Sequence, residues 1–125
     1  MQTETKPHDA GAVVATKATR RAAQLLGLSQ GELAQILGVS PTTVSRMFSG
    51  EWIIPRGPGK ELEMAVLFIR IFRSLDALMG GDPVHAKAWI RAENSHLQGI
   101  PLTLCFTAVG MSHVAGYLDA MRGAY

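Results

Sequence analysis

The most specific chemistry in the chain lies between Pro41 and Ser49. Pro41, Thr42, Thr43, Ser45, Arg46 and Ser49 interleave there with Val44, Met47 and Phe48. A helix over this stretch turns the three apolar side chains inward and the polar set outward. An arginine on such a face can pair bidentately with guanine. Threonine and serine hydroxyls can bond to bases or phosphates, or a methyl can touch that of thymine. Gln30, at the start of the preceding element, would sit over a sugar–phosphate backbone, where amides hold phosphate oxygens. Lys17, Arg20, Arg21 and Arg56 are further candidates for phosphate contact. The plain alternative is a helical hairpin whose exposed Ser, Thr and Arg are only solvated.

Catalytic chemistry finds no comparable pattern. His8, His85, His96 and His113 are widely spaced, with no H-x-x-x-H among them. The single cysteine excludes a C-x-x-C pair and an internal disulfide, so neither metal nor cofactor is implied. Asp82 and Glu93 read as a helix cap and a surface charge. Ser112-His113 opens a helix without an acid at useful spacing, and no glycine loop for phosphate is present. The chain reads as a non-enzyme. Cys105, among Leu102, Leu104 and Phe106, reads as a buried structural thiol.

The base-reading face needs two short helices to hold it. Leu33, Ala34 and Leu37 repeat at helical spacing before Gly38, and Val44, Met47 and Phe48 do so after it. Ala34 allows a close crossing, Gly38 accepts φ > 0 in the turn, and Val39 and Val44 fill the angle. That is a helix-turn-helix pattern. Ser29 with Glu32 makes a capping box at the first helix. Ser40 caps the second, with Pro41 at its first position.

Around this pair the chain reads as helical throughout. Ala10 to Leu26 forms a first helix, with Val13, Val14, Ala18, Ala22, Leu25 and Leu26 on its apolar face, closed by Gly27. Glu51 to Gly59, with two prolines and two glycines, is a linker. Lys60 to Met79 is a long helix apolar on nearly all sides, which calls for cover from its own domain and from a partner chain. Asp82-Pro83 starts a helix to about Ala92, and Asn94 to Gly99 is a turn. Pro101 opens a short helix to about Thr107, which Val109-Gly110 breaks. Met111 to Met121 is a last helix burying Val114, Leu118 and Met121. Gly116 inside it costs about 1 kcal/mol relative to alanine unless close packing needs it.

Composition agrees with this organisation. Of 125 residues 47% are hydrophobic, enough for a folded interior in one domain or two small ones sharing a core. Residues 1–60 carry seven Lys/Arg against four Asp/Glu, residues 61–125 five against six. A basic front and near-neutral back suit a nucleic-acid reader joined to a protein-binding module. The modest charge points to a dimer reading repeated half-sites. Met1 to Asp9 is a polar tail without a signal peptide's apolar core, and Met64 to Met79 is too short and charged to span a bilayer. The expected location is cytoplasmic, with no membrane partner.

The back half carries a resemblance. Trp89-Ile90-Arg91-Ala92-Glu93-Asn94, then Leu97-Gln98-Gly99-Ile100-Pro101-Leu102, then Gly110 with Val114, and Tyr117 to Gly123 follow in order. Together they resemble the toxin-binding domain of the Xre/MbcA/ParS-type antitoxins, partners of RES-domain toxins, with an Xre-like helix-turn-helix in front. The resemblance implies an antitoxin that binds a NAD-consuming toxin, covers its NAD pocket and represses its own operon as a dimer. It implies a plug made by Tyr117, Met121, Arg122, Gly123, Ala124 and Tyr125. A guanidinium and an aromatic ring suit a pocket for pyrophosphate and rings. Trp89, Gly99, Pro101 and Gly110 read as architectural, and Tyr117 as either core or interface.

The expectation is thus an all-α chain. Residues 1–9 form a tail, 10–50 the operator-DNA-binding domain, 51–59 a linker and 60–125 the toxin-binding domain. The competing expectation is a stand-alone repressor whose back half only dimerises.

Overall fold

A computed structural model describes residues 10–55 and 59–123. Seven helices run through them: α1 (Ala10–Leu25), α2 (Gln30–Leu37), α3 (Pro41–Ser49), α4 (Lys60–Leu78), α5 (Pro83–Arg91), α6 (Pro101–Leu104) and α7 (Ala108–Gly123). Extended pairing among the described residues is limited to one antiparallel bridge, Asn94 with Gly99. The fold is all-α, and no described helix is long and apolar enough to cross a membrane.

The long helix α4 organises the rest, packing against α1, α2, α5 and α7. Met64, Ala65, Phe68, Ile71 and Leu75 form its buried stripe. They join Leu33 and Leu37 from α2, Met47 from α3, Ile90 from α5 and Leu118 from α7 in one continuous core. Each fully buried aliphatic or aromatic side chain contributes about 2 kcal/mol of transfer free energy. The opposite side of α4 is covered less: Val66 is 53% exposed.

The buried face of α1 differs from the expected one. Ala12, Thr16, Thr19, Ala22 and Ala23 face the core, while Val13 and Val14 are exposed. The threonines tolerate burial because each hydroxyl donates to a carbonyl one turn back, Thr16 to Ala12 and Thr19 to Ala15, both at 2.7 Å. Thr16 Oγ1 also accepts the Ile54 backbone N–H at 2.9 Å. That bond, with Ile54 fully buried, anchors the non-helical segment after α3 onto α1.

The C-terminal part also departs from expectation. Gly110 does not break a helix; it lies in the first turns of α7 and is buried. A Cβ there would sit 2.0 Å from the Leu104 carbonyl oxygen, so only glycine lets α7 start against the end of α6. Met121 is exposed rather than buried. In that turn Asp119 and Arg122 reach Ser74 of α4, which directs Met121 outward. Gly116 meets nothing within 4 Å of an added Cβ, so close packing does not require it.

Candidate nucleic-acid and partner interfaces

The α2–α3 pair is built from local rules. Ser29 Oγ accepts from the Glu32 N–H at 3.0 Å, and Glu32 Oε1 accepts from the Ser29 N–H at 2.9 Å. Gly38 takes the left-handed conformation at φ 74°, and its N–H and that of Val39 both reach the Ala34 carbonyl. Ser40 then caps α3, accepting from the Thr43 N–H at 3.1 Å. Leu33, Ala34, Leu37, Val44 and Met47 are buried, with Val39 and Phe48 half-buried. The inward and outward sets divide as their spacing requires.

On the outer side Pro41, Thr42, Ser45, Arg46 and Ser49 are exposed, and Gln30 is exposed at the first position of α2. Thr43 is half-buried, its hydroxyl 2.9 Å from Ser40 Oγ, which leaves it less free for a base. Ser49 Oγ lies 3.0 Å from both the Arg46 carbonyl and a Glu51 carboxylate oxygen. A carboxylate there weakens a phosphate contact by Ser49. The Arg46 side chain has no hydrogen-bond or ion-pair partner among the described residues. Arg20 Nη1 donates to the Met47 carbonyl at 2.9 Å, closing the C-terminal end of α3. Lys17 and Arg21 are exposed, and Arg56 lies outside the described residues.

The second cluster gathers at α5, the turn after it and α7. Asn94 and Gly99 exchange backbone hydrogen bonds at 2.9 and 3.2 Å, and Asn94 Oδ1 accepts from the Leu97 N–H at 3.0 Å. Gln98 sits at φ 58°. These bonds account for the Trp-to-Asn and Gly-Ile-Pro-Leu pieces as turn builders, and Pro101 is buried behind them. Tyr117 is half-buried, stacked with Trp89 at 6.3 Å and with His96 at 6.0 Å between ring centroids. It is at once part of a packed aromatic group and accessible from outside. Sequence spacing missed this group because its three members come from α5, the turn and α7.

The end of α7 is open. Met121, Arg122 and Gly123 are exposed, while Ala124 and Tyr125 lie outside the described residues. Arg122 Nη1 donates to Ser74 Oγ at 3.2 Å. Ser74 Oγ also lies 3.3 Å from Asp119, whose other oxygen pairs with Arg70. Arg122 is thus steadied from α4 while its side chain stays at the surface.

One further residue was not singled out for a role by its type. Arg91 forks onto both oxygens of Glu32, at 2.8 and 2.9 Å, and donates to the Gly27 carbonyl at 2.9 Å. Its hydrogen bond is the main cause holding the Glu32 carboxyl down to about 2. The other shifted groups are structural. The Val84 N–H lowers the Asp82 carboxyl, as a helix cap does. Burial pushes the Cys105 thiol up to about 12, away from thiolate chemistry.

Two family models match the chain in succession. Residues 9–70 match the model of the antitoxin Xre-like helix-turn-helix domain. Residues 74–124 match that of the antitoxin Xre/MbcA/ParS C-terminal toxin-binding domain. The two matches meet within α4 and together take in nearly the whole chain. No curated protein matches it.

Proposed function

The chain belongs to the Xre-type antitoxins, and we propose that its partner is a RES-domain toxin that consumes NAD. On this reading the end of α7 and the residues after it, with Tyr117 behind them, cover the toxin's NAD pocket. The chain acts by binding and carries out no catalysis of its own. Residues 10–50 hold the operator-reading surface and residues 60–125 the toxin-binding one. The protein works in the cytoplasm, as a homodimer that represses its own operon.

The observation that carries the reading is the order of the matched domains, a toxin-binding domain placed directly behind a helix-turn-helix. The open end of α7 supports the plug. Met121 is 48% exposed, and a surface arginine beside it suits pyrophosphate. Arg46, exposed on the outer face of α3 and without a side-chain partner among the described residues, supports the operator role.

Truncation tests the plug without undoing the fold, because Val114, Ala115 and Leu118 all precede it. The chain lacking Met121 to Tyr125 is co-expressed with a RES toxin. Loss of protection and a fall in cellular NAD are expected. Full protection by the truncated chain overturns the plug. Arg46→Ala should weaken operator binding about tenfold and leave protection intact; equal operator affinity removes Arg46 from the DNA surface.

A further inference from the structure

A groove of about 370 Å³ runs between α1 and α4 and ends at Arg122 of α7, a volume in the range of pockets that seat ligands or anchor side chains. Its walls are aliphatic: Val14, Val66 and Ile69 line it, with Val14 65% and Val66 53% exposed. Three cations, Arg70, Arg73 and Arg122, line it as well. The carboxylate beside them, Asp119, is already engaged by Arg70 and Ser74. Arg73 has no ion pair or hydrogen bond among the described residues.

We infer that this groove seats an amphipathic helix of the toxin, aliphatic where it lies between α1 and α4 and acidic where it meets the arginines. The inference rests on the toxin reading above and adds a second contact beside the tail plug, with Arg122 at the border of the two. Charge selects the occupant. A second copy laid groove to groove would bring no acid to the arginines, because no carboxylate is among the groove's lining residues. An acidic helix satisfies the arginines and buries the exposed valines, the usual helix-in-groove mode. The groove also adjoins the end of α7, so one partner can reach both surfaces.

The test is calorimetric titration of the full chain with the RES toxin, comparing wild type with Val66→Glu and Arg73→Glu. Both positions are exposed, so both variants should fold, which their melting curves check. Each should bind toxin at least about tenfold more weakly and keep wild-type operator affinity. Wild-type affinity should fall between about 0.05 and 0.5 M salt, and that of Arg73→Glu should fall less. A wild-type chain that binds no RES toxin overturns the partner assignment and this occupant with it. A wild-type chain that binds, with both variants matching it, overturns the groove alone. Variants that keep toxin affinity but sediment as monomers where wild type is a dimer give the groove to a second copy, and overturn it also.

Discussion

Arg91→Ala removes three hydrogen bonds that tie α5 to the first turn of α2 and to the turn before it. Glu32, which accepts two of them, is also half of the α2 capping box, so the loss falls where Gln30 is positioned. Arg91 and the cap hold the Glu32 carboxyl at about 2 against an ordinary 4.5. Unscreened, that depression would correspond to about 3 kcal/mol. The Arg91 and Glu32 side chains are 44% and 25% exposed, so screening reduces the pair to about 1 kcal/mol. The Gly27 carbonyl adds about 0.5 kcal/mol. The expected cost is about 1.5 kcal/mol, or about 5 °C in melting temperature. The sign follows from a depressed carboxylate: stability is present above pH 4.5 and is lost as pH falls from there through about 2. Urea unfolding should therefore show a wild-type advantage that is full at pH 7 and falls by pH 2 to about the 0.5 kcal/mol of the Gly27 bond, which does not titrate. A cycle with Glu32→Gln should return about 1 kcal/mol of coupling at pH 7. An advantage unchanged across that range, or coupling near zero, would refute the clamp.

Two glycines of α7 should respond oppositely to alanine. Gly110→Ala places a Cβ 2.0 Å from the Leu104 carbonyl oxygen and should cost about 3 kcal/mol or more, read by circular-dichroism melting. Gly116→Ala meets open space and should add about 1 kcal/mol; a destabilised Gly116→Ala would show that α7 is packed differently. Cys105, fully buried with its thiol at about 12, should resist iodoacetamide at pH 8 in the native state and react on unfolding. Rapid native alkylation would place it at the surface.

Legibility followed the range of the interactions. The α2–α3 unit was readable because its determinants act within four residues: Ser29 with Glu32, Ser40 with Thr43, Gly38 in its turn. The face of α1 was misread because alanine and threonine give little hydropathy contrast. Val13 and Val14 outweighed Thr16 and Thr19, whose hydroxyls are satisfied inside their own helix. Gly110 resembled a breaker because its reason, the Leu104 carbonyl, lies in another helix. Met121 fell at apolar spacing after Leu118, but α4 offers that turn Arg70 and Ser74, which select Asp119 and Arg122. The Arg91 clamp was hidden for the same reason: Glu32 lies 59 positions away. Of the candidate residues, those on α3 could be placed from spacing alone, whereas the Trp89–Tyr117–His96 group needed the tertiary fold.

The most direct test of the antitoxin reading follows NAD itself. Purified RES toxin is supplied with NAD while the full chain is titrated in, and NAD consumption and complex formation are measured on the same samples. Consumption should fall to background as the toxin saturates, and a chain ending at Ala120 should inhibit far less. A saturated complex that goes on consuming NAD at the rate of free toxin would contradict the reading.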